Sequence, residues 1–339
     1  MLIKSLKSAV KAVVSPIVDA TGLYDRRIAT STAAKGGWTV VMYHRVIDDL
    51  ALDPFSLGMC VERGRFERQI RYLKSQFNVM AVGEVMRRVD AGEPLPDRAL
   101  SVTFDDGYLD NLTTALPILQ TLDVPFTVYV PTGGLDSGEM LWWDRAISAM
   151  ACTELPGLDL GDVGLSEAHD YCSLTGLARG VTVDRVLDLL WSLEYDRAIA
   201  AVVRIEQVLA ARDTRRVAAR RLSPEQVREL HRRGVDIGAH SVNHPNLGLS
   251  NRALTHQEMA DSRHYLENLI QQQVLGFAYP GGHMQSVTAE VARQIGFAYA
   301  MSTVTAINAP PYDRFRLCRI GMPDTGLADF RRAFSGALM

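Results

Sequence analysis

Short apolar runs rich in β-branched and aromatic residues recur along this chain, and helical periodicity fills the gaps between them. WTVVMY (38–43), RALSVTF (98–104), PFTVYV (125–130), VDIGA (235–239), VLGFAY (274–279) and AYAMST (298–303) read as buried strands, with a last one near FRLCRI (315–320). Between the first two, residues 62–77 place Phe66, Ile70, Leu73 and Phe77 on one helical face. SPEQVRELHRRG (223–234) carries a full set of helix signals: Ser223 to cap, Pro224 at the first helical position, Gln226 for a capping box and Gly234 to close. Strand–helix–strand alternation is the grammar of a parallel sheet, and about seven such units favour an α/β barrel, distorted or incomplete, over an open sheet.

The pattern breaks once. From about Leu135 to Arg221 the β-branched runs thin out, and VDRVLDLLWSL (183–193) sets Val183, Val186, Leu190 and Trp191 on a helical stripe. This predicts a helical insertion (135–221) inside a barrel built from 38–134 and 222–322. Residues 1–37 form a lead-in, and 323–339 a C-terminal helix or tail.

Residues 1–17 set Leu2, Leu6, Val10, Val13 and Ile17 at helical spacing, with Lys4, Lys7 and Lys11 between them. Lys11 interrupts the apolar stretch that a secretory signal would need. Such a helix either packs on the body of the protein or lies on an anionic membrane surface. The expected location is therefore cytoplasmic, or peripheral to the inner face of a membrane. No stretch reaches the ~20 apolar residues that span a bilayer. The net charge of −3 argues against a nucleic-acid partner held by a broad basic field. The four scattered cysteines form no CxxC pair and read as reduced thiols.

Active sites of parallel α/β folds gather at the carboxyl ends of strands. The strand ends here are crowded with chemistry: His44, then Asp105–Asp106, then HSVNH with His240 and His244, then YPGGH (279–283), and finally Arg319 at the last strand. Two histidines and a carboxylate from another strand make an open three-ligand metal site. One aspartate of the pair would bind the cation while the other takes a proton. The spacing HxxxH lacks the glutamate of a zinc-protease helix, so that reading is poor. Trp142 and Trp143 read as anchors of the insertion by burial, or as a sugar-stacking surface.

TFDDG (103–107), HSVNH (240–244) and YPGG (279–282) together resemble the polysaccharide deacetylases, carbohydrate esterase family 4, with its NodB-homology domain. The resemblance covers roughly 38–134 and 222–322. It implies a distorted or incomplete (β/α) barrel with a helical insertion, and removal of acetyl groups, N-acetyl above all, from a carbohydrate, polysaccharide or lipid-linked glycan. On this pattern Asp105 is the catalytic base, and Asp106, His240 and His244 hold the metal. Tyr279, Pro280 and Gly281 line the substrate groove, with a backbone N–H at Gly281 facing the oxyanion. Zn²⁺ is the expected cation, and Ni²⁺ or Co²⁺ suits the same donors.

Two departures from the family pattern stand out. GFAYP carries no arginine before its proline, so Arg319 is expected either to orient Asp105 or to form a rim salt bridge. No histidine follows His283, where the family places its general acid. His44, in VVMYHRV, is the first candidate for that role and His283 the reserve. The alternatives to a sugar deacetylase are a non-catalytic carbohydrate-binding barrel and an amidase acting on a non-sugar amide.

Overall fold

The computed structural model describes residues 18–30, 36–52, 58–210 and 220–338. The predicted amphipathic segment 1–17 and its membrane contact lie outside the described residues. Eight strands form one parallel sheet: Trp38–Tyr43 (β1), Asn78–Val79 (β2), Ala99–Phe104 (β3), Phe126–Val130 (β4), Asp236–Ala239 (β5), Gly276–Ala278 (β6), Tyr299–Met301 (β7) and Ile320–Gly321 (β8). Their order is β7-β6-β5-β4-β3-β1-β8, with β2 pairing the start of β3. Every residue of β3 and β4 is buried, as continuous apolar strands covered on both faces must be.

The sheet curls into a distorted barrel. The segment leading into β8 spans its gap: Leu317 bridges Met301 of β7, and Ile320 pairs with Val41 of β1. Arg319 therefore precedes a two-residue strand, whereas the sequence places it at the end of a longer one. Its side chain turns into the barrel.

Helices pack outside: Leu23–Thr30 (α1), Arg63–Gln76 (α2), Val82–Ala91 (α3), Leu116–Thr121 (α4), Pro224–Arg232 (α8), Arg252–Ile270 (α9), Ser286–Ile295 (α10) and Leu327–Ala337 (α11). Ser223 and Gln226 close a reciprocal capping box at the start of α8. The helix after β3, α4, is short. The segment before it, Asn111–Ala115, is a π-turn, and Pro117 in the first turn of α4 has no amide to continue an α-helical ladder backwards. No helix among the described residues is long and apolar enough to cross a membrane.

Residues between β4 and α8 form Trp142–Cys152 (α5), Ala178–Trp191 (α6), Tyr195–Leu209 (α7) and a small antiparallel pair, Gly157–Asp159 with Tyr171–Ser173. They enclose an apolar cluster of their own that includes Trp142, Trp143, Val183, Val186 and Leu190. The chain re-enters the barrel through Arg221 and Leu222: the buried Arg221 guanidinium donates to the Gly133 carbonyl at 2.6 Å, and the Leu222 amide donates to Gly107 at 2.9 Å.

Candidate active site

The aspartate pair faces one cavity because the chain turns between its members. Asp105 continues the ladder, its amide donating to the Tyr43 carbonyl at 3.0 Å. Asp106 takes a left-handed backbone, φ +73°, so its side chain does not fall on the opposite face as a strand residue's would. Both carboxylates are buried.

Asp105 is gripped by Arg319, Nη1 to Oδ1 and Nη2 to Oδ2, both at 2.7 Å. The guanidinium is fully buried, and its Nε donates to the Ser302 carbonyl at 2.9 Å. This is an internal pair, not the rim salt bridge that sequence left open. Burial alone would raise the Asp105 pKa; the Arg319 charge, and then that of His240, reverse this and hold it below the usual value.

Asp106 faces the two histidines. Its Oδ1 lies 3.4 Å from His240 Nε2 and 3.3 Å from His244 Nε2, and the two Nε2 atoms are 3.0 Å apart. That Oδ1 is buried and has no hydrogen-bond partner among the described residues. A cation with tetrahedral bonds of ~2.0–2.2 Å spaces its ligand atoms about 3.3–3.5 Å apart, close to this triangle. The three residues thus fit a divalent metal ion. His240 is already oriented as a ligand, because its Nδ1 sits 2.7 Å from the Ala278 carbonyl and leaves Nε2 free to face the cation. Burial opposes a charge on His240, but the Asp105 and Asp106 carboxylates raise its pKa; a divalent cation would satisfy the same field. Burial and the neighbouring His240 push His244 down to about 4, so its imidazole is neutral at pH 7.

The HSVNH motif is a loop here, not a helix face. Ser241 and His244 both have positive φ, +65° and +56°. Glu258 of α9 holds the loop from beneath, accepting from the amides of Val242 (2.9 Å) and Asn243 (2.8 Å) and from the Asn243 side chain (2.8 Å). Sequence reasoning missed this glutamate, which reads as one more polar residue on an amphipathic helix.

A cavity of about 630 Å³ opens over the triad, lined also by His44, Trp143, Trp191, Asn246, Gly281 and His283. His44 follows β1, with its carbonyl held by Asn111 Nδ2 at 2.8 Å. His283 stands on the exposed rim of the cavity wall, where partial desolvation lowers its pKa. Gly281 has φ +57°, and a side chain there would meet the His283 ring. The amides of Gly282 and His283 are used within the turn, by the Tyr279 and Pro280 carbonyls, while the Gly281 amide has no such backbone partner among the described residues. Tyr279 corrects the expectation that its side chain lines a groove. It is fully buried in the barrel core against Phe277, with its hydroxyl donating to the Phe315 carbonyl at 2.9 Å. Pro280 is buried as well and fixes the turn.

Both tryptophans of α5 are buried, yet Trp143 also reaches the cavity, its ring 4.3 Å from that of His244. Trp142 Nε1 donates to the His244 carbonyl at 3.2 Å. Asp144 lies deeper, accepting from the Tyr108 hydroxyl at 3.0 Å.

The polysaccharide deacetylase family model matches residues 92–151 and 182–300, more than half of the chain. Over 98 residues, 29% of this chain, it is 31% identical to poly-β-1,6-N-acetyl-D-glucosamine N-deacetylase of Escherichia coli K12. It is 29% identical over 265 residues, 78% of its length, to YxkH of Bacillus subtilis. The chain spans 14% of the length of the first relative and 63% of the second. Among solved structures it is similar to the deacetylase PplD of Streptococcus pyogenes (TM-score 0.60, 18% identity, 89% of this chain and 98% of that one). The fold also matches IcaB from Ammonifex degensii (TM-score 0.55, 17% identity, 89% and 97%).

Proposed function

The chain belongs to the polysaccharide deacetylase family, and from that premise we propose that it is a divalent-metal-dependent hydrolase removing acetyl groups, N-acetyl above all, from a carbohydrate. The observation that carries this reading is one cavity holding both the Asp106–His240–His244 triangle and a second carboxylate, Asp105, fixed by Arg319. A divalent ion held by that triangle, Zn²⁺ being the natural choice for two imidazoles and a carboxylate, would supply Lewis-acid activation of water and of the acetyl carbonyl.

The chain's own residues do the rest. Asp105, kept ionised by Arg319, takes the proton of the attacking water at the carboxylate edge facing the triangle, where Oδ2 lies 4.0 Å from His240 Nε2. The Gly281 amide donates toward the oxygen on which negative charge develops. As the C–N bond breaks, His44 delivers a proton to the leaving amine, so acetate and a free amino sugar result.

The name of the Escherichia coli relative makes a β-1,6-linked N-acetylglucosamine oligomer the first substrate to try. Acetate release would be measured beside elemental analysis of the wild type, Asp106→Asn and His240→Ala. We expect about one divalent ion per chain and acetate release in the wild type, and neither in the variants. A fully metal-loaded wild type that releases no acetate from any acetylated sugar would refute the reading.

A further inference from the structure

Part of the cavity wall belongs to the insertion, not to the barrel. The last turn of α6 brings Asp188 and Trp191 to it. Trp191 packs its ring edge-on to Trp142, centroids 4.8 Å apart, and lies 5.4 Å from the His244 ring and 5.8 Å from the His283 ring. Asn246, two residues beyond the ligand His244, donates to the Trp191 carbonyl at 2.8 Å. The helix end is thereby tied to the loop that carries the metal triangle.

Asp188 stands three residues before Trp191, on the same helix face. It is exposed, and its carboxylate has no hydrogen-bond or ion-pair partner among the described residues. The other two carboxylates of the cavity are committed, Asp105 to Arg319 and Asp106 to the histidine triangle. Asp188 is the acidic group left for a ligand.

We propose that Asp188 and Trp191 form a subsite for the sugar residue next to the one being deacetylated, and that the subsite favours a residue already bearing a free ammonium group. The inference rests on the deacetylase reading above. Trp191 offers an apolar aromatic surface to the C–H face of a sugar ring. Asp188 offers an unpaired negative charge, which discriminates an ammonium from a neutral acetamide. The deacetylation product is such an amine, so each turnover creates the group that the subsite recognises, and acetyl removal proceeds in clusters along the polymer.

The test uses the full-length, metal-loaded protein, its Asp188→Asn and Trp191→Ala variants, and two probes: a β-1,6-linked glucosamine tetramer and its N-acetylated counterpart. The glucosamine tetramer is measured as a competitive inhibitor and, independently of turnover, by calorimetry. Asp188→Asn should raise its Ki, relative to the KM of the acetylated tetramer, by about fivefold at low salt, the difference fading at high salt. Trp191→Ala should weaken both probes by about tenfold, with the loss in KM more than in kcat. Equal calorimetric affinity of all three proteins for the glucosamine tetramer would overturn the subsite, whatever the activity. Loss of that affinity in both variants, with no acetate release by the wild type, would support the subsite while the deacetylase reading fell.

Discussion

Arg319 and Asp105 meet inside the barrel in a two-armed ion pair, both N–O distances 2.7 Å, with the guanidinium wholly shielded from solvent. Such a pair adds little net stability, because desolvation offsets its attraction, yet it is costly to break, since removing one partner strands the other's charge in a low-dielectric site. Arg319→Gln should lower stability by about 3–5 kcal/mol, and Arg319→Lys, which keeps the charge but not the fork, by less. Urea unfolding measures both. A loss under about 1 kcal/mol for the glutamine variant would show that Asp105 does not depend on its partner.

His44 is the proposed general acid, and it shares the cavity with both aspartates. His44→Ala should cut kcat by about 10²–10⁴ while the metal content stays at the wild-type level. His283→Ala on the same assay provides the contrast. If His283→Ala is the crippled variant and His44→Ala turns over normally, the proton comes from the other wall of the cavity.

Glu258 touches no ligand atom, yet three hydrogen bonds from Val242 and Asn243 hold the loop that ends in His244. Supports of this kind typically carry 10–100-fold in metal affinity. Glu258→Ala should weaken zinc binding by about that factor in a competition titration against a chelator, with the fold intact by circular dichroism. Unchanged affinity would mean that the two left-handed residues of the loop hold it unaided.

Much of this architecture was legible in the sequence because parallel strands advertise themselves. WTVVMY and PFTVYV are apolar on both faces, and the titratable residues stand directly after such runs. What the chain does in three dimensions between those signals was hidden. The side chain of Tyr279 belongs to the core although its motif borders the cavity, because the residue just past β6 still follows the strand's alternation and faces one side only. Trp191 lay on a stripe that periodicity assigns to packing, and nothing local marks it as reaching a site formed by residues some fifty or more positions away. Arg319 was singled out, but the choice between rim and interior needed the segment that closes the barrel.

Asp236 opens β5, four residues before His240, and offers a pH test remote from the metal triangle. Its carboxylate accepts from the Thr127 hydroxyl at 3.0 Å, and burial raises its pKa above the usual value despite that bond. The folded chain therefore holds this proton more tightly than the unfolded chain, whose aspartates titrate near ~3.9. Stability from the group is complete below that value and is lost as pH rises through the folded pKa. Asp236→Asn keeps an acceptor for Thr127 and has no charge to desolvate. Thermal melts from pH 4 to pH 7 should show the variant level with the wild type at the acid end and progressively more stable toward neutrality. A variant that matched at pH 4 but melted earlier at pH 7 would reverse the sign, and would mean that β5 is held by the aspartate as an anion.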